Sequence, residues 1–242
     1  MPRPDGRANN EIRPLSISTG YSKYAEGSCL VEMGDTVVIC TASVLNEVPR
    51  FLAGSQRGWV TAEYSMLPRA GSERTSRSRI QSSGRTAEIQ RLIGRSLRAV
   101  VDLDSMGERS VTLDCDVIQA DGGTRTAAVT GAYVALMEAL NGLKDQGAFA
   151  KLPIFDSVAA ISVGVVSGDT VIDLNYTEDS TASVDMNVVM TGSGKLVEVQ
   201  GTAEGLPFDR QRLDAMLDLA TEGIRQLTSA QHKALGEIGI KP

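Results

Sequence analysis

The segment Asp121-Gly122-Gly123-Thr124-Arg125 lies where a strand pattern gives way to a helical one, and residues of these types at such a junction can hold an anion. Two glycines let the backbone come close to a ligand, and the first N–H groups of a helix have no partner inside it. Those groups and the helix dipole favour negative charge. Thr124 adds a hydroxyl donor, and Arg125 adds a planar cation that matches phosphate. The spacing is neither a GxxxxGKS/T nucleotide loop nor a GxGxxG fingerprint. Pattern alone leaves open an ordinary glycine-containing turn without a ligand.

Arg85 raises the same question elsewhere. It falls in the first turn of a helix that Ser82 or Ser83 could cap. A positive side chain is unfavourable beside the positive end of the dipole. An anion between them would accommodate both, although an arginine in a first turn is usually just a surface residue.

The segment from Glu178 to Asn187 carries carboxylates. In its strand Ser183, Asp185 and Asn187 share one face, and Val184, Met186 and Val188 share the other. Aspartate is disfavoured in a strand interior unless it has a partner or a task. Asp179 precedes that strand in a loop. Two carboxylates near one site suit Mg²⁺, which takes one or two of them together with waters and phosphate oxygens. One of the pair could instead donate a proton, its pKa raised by its neighbour. A solvated sheet face is the bland alternative.

The net charge of −6 argues against a nucleic-acid partner until its distribution is read. Residues 69 to 98 hold eight arginines and two glutamates, leaving 16 basic and 28 acidic residues elsewhere. A basic surface on an acidic body points to local anion binding, with a salt-bridged helix face as the competing reading. Arg69, Arg74, Arg77 and Arg79 are interleaved with Ser and Gly, as expected for contacts to an RNA backbone. Aromatic residues make up only 4% of the chain, so an extended base-stacking platform is not expected.

Other chemistries have little support. Cys29, Cys40 and Cys115 sit in apolar stretches without CxxC spacing, which predicts buried, inert thiols. His232, the single histidine, lies in a polar stretch of a helix and is expected to face solvent. No apolar run approaches the roughly 20 residues that cross a bilayer, and the first residues do not read as a signal peptide, so the expected location is cytoplasmic.

The elements that must position these residues alternate irregularly, which favours an α+β fold. Residues 1–26 are polar. Gly27–Met33 and Thr36–Leu45 read as a hairpin about Gly34-Asp35, and Trp59–Ser65 as another strand. Residues 68–83 read as a long surface loop with almost nothing to bury. Ile89, Leu92, Ile93, Leu97 and Val100 mark an amphipathic helix. A strand with Val111, Leu113, Cys115 and Val117 on one face leads to the glycine turn. A second amphipathic helix follows, striped by Val129, Ala132, Tyr133, Leu136, Met137 and Leu140. Residues 141–157 read as a linker between an N-terminal unit, 1–143, and a C-terminal unit, 157–242. Strands at 158–166, 170–174, 182–190 and 196–201 and a long helix from about Asp209 complete the chain.

Taken together, Arg3-Pro-Asp-Gly-Arg7, Gly34-Asp-Thr-Val, Ala62-Glu-Tyr-Ser-Met-Leu-Pro, Asp121-Gly-Gly-Thr-Arg-Thr, Glu178-Asp-Ser, Asp185-Met-Asn and Val197-Glu-Val-Gln-Gly-Thr-Ala-Glu-Gly resemble the ribonuclease PH family. These are bacterial phosphate-dependent exoribonucleases that trim the 3′ ends of transfer-RNA precursors. The resemblance implies a lobe like a ribosomal-protein domain followed by a smaller α/β lobe, and a homohexamer built as a trimer of dimers. It implies inorganic phosphate held by Arg85, Gly123, Thr124 and Arg125, and Mg²⁺ chemistry at Asp179 and Asp185. It also implies transfer-RNA contacts by Arg69, Arg74 and Arg77. A non-catalytic, RNA-binding ring subunit would be expected to have lost the arginines or the aspartates. A metabolite kinase would need a glycine-rich ATP loop.

Overall fold

Strands β1 (Leu15–Thr19), β2 (Gly27–Met33), β3 (Thr36–Leu45), β4 (Trp59–Met66) and β5 (Ser110–Gln119) form one sheet in the order β1-β2-β3-β5-β4, in a computed structural model that describes residues 3–81 and 83–241. All pairs are antiparallel except β4–β5. The expected hairpin is present, with Met33 opposite Thr36 and Gly34 at φ 57°. Strand β1 was hidden in the polar N-terminal stretch. Its five residues alternate Leu15 and Ile17, which pack on the core, with exposed Ser16 and Ser18. Five residues are too few for a clear period.

The 68–83 loop is more ordered than its composition predicts. A short helix, α1 (Arg77–Gln81), closes it, and the side chains of Ala70 and Ile80 are buried. Those two anchors suffice because the rest hydrogen-bonds back on itself, as in Thr75 N–H donating to Pro68 O at 2.8 Å. Helix α2 (Gly84–Arg98) then buries Ile89, Leu92, Ile93 and Leu97, as the periodicity requires.

Helix α3 (Thr124–Asp145) departs from the amphipathic reading. Ala127, Ala128, Val134, Ala135 and Ala139 are buried along with the predicted stripe. The cause is its position between the first sheet and a second one, so it needs an apolar surface all round. It also runs to Asp145, into the stretch read as linker. The following segment is tied down by Asp102 N–H to Pro153 O at 2.9 Å and Phe155 N–H to Val100 O at 2.8 Å. Cys29, Cys40 and Cys115 lie side by side on neighbouring strands beneath α3, buried and unbridged. Contacts with the adjoining Cys115 and Cys29 thiols, together with burial, push the Cys40 pKa well up, so this thiol is chemically quiet.

The second sheet is antiparallel throughout, ordered β7-β6-β8-β9 from β6 (Val158–Val166), β7 (Asp169–Ile172), β8 (Val184–Thr191) and β9 (Leu196–Ala203). Strand β6 is buried on both faces, which explains its unbroken apolar run. Val158 and Ala160 join the core around α3. Ile161 and Val163 join that of α5 (Arg210–Glu237), which starts where expected and is capped by Asp209. His232 is exposed, also as expected. A four-residue helix, α4 (Tyr176–Asp179), sits between β7 and β8, where a loop was read. It is too short to show a period.

The N-terminal residues bind the two sheets together through buried charge. Arg3 donates to both carboxylate oxygens of Glu178 at 2.6 and 2.7 Å. Asp173 accepts from the backbone N–H, Nε and Nη2 of Arg13 at 2.7, 3.0 and 2.7 Å. Arg7 donates to Asp173 O at 3.1 Å. Arg3, Arg13, Asp173 and Glu178 are each at most 6% exposed. Breaking such a network strands a charge without a partner. Asp173→Ala is therefore expected to lower the unfolding free energy by about 3–5 kcal/mol, read from urea denaturation. A loss below about 1 kcal/mol, the range of an exposed pair, would show the network to be dispensable.

Candidate active site

The glycine turn at the start of α3 is locked from behind. Thr36 Oγ1 donates to Gly122 O at 2.6 Å and accepts from Asp121 N–H at 2.9 Å. Arg13 reaches the carbonyls of Asp121 and Gly122, and Tyr176 N–H donates to Asp121 Oδ1 at 3.1 Å. Gly122 has φ 74°, and a Cβ there would lie 2.5 Å from Leu174 O and 2.7 Å from the Asn175 carbonyl carbon. Only glycine tolerates both the left-handed backbone and that approach. Gly123, at φ 65°, is the N-cap of α3 and has no side chain with which to cap it. The first N–H groups of α3 are thus left to other acceptors.

Thr124 is 7% exposed, and its hydroxyl lies 2.8 Å from that of buried Tyr64. Arg125 is held at its outer end: Nη1 donates to Gln200 Oε1 at 2.9 Å and lies 3.4 Å from Glu88 Oε1. Gln200 Nε2 in turn donates to that glutamate oxygen at 2.6 Å. Arg85 is the second residue of α2. The N-cap of α2 is Ser83, whose Oγ accepts from Thr86 N–H at 3.1 Å; the alternative cap, Ser82, lies outside the described residues. Among the described residues no carboxylate is within ion-pair distance of Arg85.

Asp179 ends α4, which is fixed by a capping box between Asn175 and Glu178 and by the Arg3–Glu178 ion pair. Asp185 lies on the central strand β8, opposite Gly164 and Thr202. Burial pushes both carboxyls up. For Asp185 the neighbouring Asp179 charge adds to the effect, and its pKa reaches about 6. Arg85 and Arg125 pull both down again, and Glu204 opposes them. The same two arginines act on Tyr64. Residues from α2, α3, α4 and β8 therefore share one electrostatic site, drawn from positions 85 to 185 of the chain.

Oδ1 of Asp185 is buried and has no hydrogen-bond partner. A carboxylate oxygen in that position needs a cation or a proton. Among the described residues no group of three or more His, Cys, Asp or Glu is placed to hold a metal by itself. The two aspartates match a divalent ion that keeps waters and takes its other ligands from a substrate, as Mg²⁺ does.

Arg69, Arg74, Arg77 and Arg79 are exposed on the 68–83 segment. A cavity of about 230 Å³ lined by Tyr64, Met66, Arg79, Ile80, Ser83 and Arg85 lies between that segment and Arg85. Residue typing alone missed Tyr64, Glu88, Gln200 and Glu204. Tyr64 and Glu204 stand inside two of the quoted motifs. Gln200 lies in the same motif as Glu204, whereas Glu88 gave no signal, because it matters only through its contacts with Arg125 and Gln200.

Known proteins resemble this chain over nearly its whole length. Residues 11–140 match domain 1 of the 3′ exoribonuclease family, and residues 156–223 match its domain 2. Ribonuclease PH of Moorella thermoacetica is 59% identical over 243 residues, covering 100% of this chain and 97% of that protein. The Archaeoglobus fulgidus exosome with RNA bound to the active site has a chain of the same fold, with a TM-score of 0.80 at 22% identity over 94% of this chain and 91% of that one. An archaeal exosome core gives 0.76 at 23% identity over 94% and 90%. The chain belongs to the 3′ exoribonuclease family and contains both of its domains.

Proposed function

We propose that the protein is a phosphate-dependent exoribonuclease that shortens transfer-RNA precursors from the 3′ end and releases nucleoside diphosphates. The observation that carries this reading is the meeting of Arg85, Arg125, Asp179 and Asp185 in one site, beside a helix start with no cap of its own. Inorganic phosphate and the last phosphodiester of RNA are both anions. At ~4 Å, two like unit charges repel by about 1 kcal/mol in water, and several-fold more at lower effective dielectric. Arg85, Arg125, the Thr124 hydroxyl and the N–H groups of α3 offset that repulsion and hold the phosphate in line for attack.

A phosphate oxygen forms the new P–O bond as the bond to the 3′ oxygen breaks, and the shortened RNA takes up a proton there. Asp179 and Asp185 would hold Mg²⁺, which supplies Lewis-acid stabilisation of the phosphoryl charge when bound. Where Asp179 alone holds the ion, Asp185, whose pKa is raised to about 6 without metal, is suited to carry the proton for the departing oxygen. One linkage to phosphorus replaces another, so the reaction runs in both directions. No histidine takes part.

Arg69, Arg74 and Arg77 would contact the transfer-RNA backbone ahead of the site, as their exposure and spacing suit. A cytoplasmic homohexamer is the expected form. Exposed Tyr24, Phe51 and Leu206, at 88%, 70% and 87%, are apolar surface of the kind that assembly covers. No helix among the described residues is long and apolar enough to cross a membrane. The non-catalytic reading is disfavoured because both arginines and both aspartates are present and share one site.

The deciding experiment incubates the protein with a 3′-extended transfer RNA, with and without phosphate and Mg²⁺, and identifies the released nucleotides. Diphosphates released only when phosphate is present are expected, from a species of six-chain mass by light scattering. Monophosphates released without phosphate would mean hydrolysis and would overturn the reading.

A further inference from the structure

The phenol of Tyr64 belongs to strand β4, which carries none of the four charged residues of the site, yet its oxygen stands 2.8 Å from Thr124 Oγ1. Both side chains are nearly closed to solvent, at 4% and 7% exposure. A threonine hydroxyl has one proton to give. If it donates to Tyr64, it cannot donate to an anion at the helix start. If it accepts from Tyr64, its proton is free to point outward. A phenol is the more acidic hydroxyl and the better donor of the two. Burial raises the Tyr64 pKa further, so the phenol stays protonated.

Resting on the phosphate site proposed above, we infer that Tyr64 is a positioning residue: it donates to Thr124 Oγ1 and so aims the threonine proton at inorganic phosphate. Tyr64 does not itself touch the phosphate in this arrangement. It also lines the cavity beside the arginine-bearing segment, next to Ile80, Ser83 and Arg85.

The test is the KM for inorganic phosphate in Tyr64→Phe, which keeps the ring and removes the donor. Loss of one such hydrogen bond corresponds to a rise of roughly 3- to 10-fold. The KM for RNA and the kcat should change by less than about 2-fold, a split that loose packing would not give. In a Thr124→Val background Tyr64→Phe should add almost nothing, whereas Thr124→Ser should preserve the Tyr64 dependence. An unchanged phosphate KM in Tyr64→Phe overturns the inference, as does an undiminished effect in the Thr124→Val background. Arg125→Ala is run as the control. A wild-type phosphate KM in the control overturns the site and the inference with it. A raised KM there beside an unaffected Tyr64→Phe overturns the inference alone.

Discussion

Arg125→Ala should reduce phosphate-dependent release of nucleoside diphosphates by about 10³-fold, at the upper end of what losing one preorganised donor costs. The guanidinium stands at the start of α3, where the N–H groups also face outward, and it is steadied by Gln200 at 2.9 Å and Glu88 at 3.4 Å. Those partners lie on β9 and α2, so the cation is preorganised by both lobes. Removing it leaves the loop arginines in place, and RNA affinity should stay within about 3-fold because it depends on many phosphate contacts. Arg125→Lys should recover little, since a single ammonium cannot reproduce a planar two-point contact. Diphosphate release at the parental rate from Arg125→Ala would remove this residue from the site.

Asp185→Asn should lower turnover by about 10²–10⁴-fold, the range associated with loss of a positioned acid or base. It should also raise the thermal midpoint of the metal-free protein. Burial and Asp179 raise the Asp185 pKa from 3.8 to about 6, so the folded state binds this proton more tightly than the unfolded chain does. The resulting stabilisation is complete below the unfolded value and is lost as pH rises towards the folded one. Above about pH 6 the folded protein therefore holds an unfavourable carboxylate, and asparagine removes that burden without changing shape. Thermal melts in a chelator from acidic to neutral pH should show the advantage of the variant opening between those two values and then levelling off. Added Mg²⁺ should narrow it by stabilising the parent. A variant that melts lower than the parent at neutral pH would point to a scaffolding aspartate. One that turns over normally would exclude Asp185 from the chemistry.

The legible parts of the molecule were those with a local signature. The β2–β3 hairpin follows from alternation around Gly34-Asp35, α2 from its apolar stripe, and the glycine turn from two adjacent glycines after a strand. Elements of four or five residues, β1, α1 and α4, were missed because so few positions cannot establish a period. In sequence helix α3 looks one-sided because its alanines are neutral on a helical stripe, whereas alanine is what lets a helix lie close between two sheets. The arginines and aspartates of the site could be named by type and motif. What holds them could not, because Tyr64, Glu88, Gln200 and Arg3 act across 37 to 175 residues of chain.

That last distance bears on when the protein acquires its activity during synthesis. Arg3 waits for Glu178 and Arg13 for Asp173, so these early arginines find their partners only after 160 or more further residues have been made. The glycine turn, braced by Arg13 and by the backbone of residues 174–176, is finished only when those later residues have emerged. A chain not yet translated to residue 176 therefore lacks the braces that hold this turn in shape.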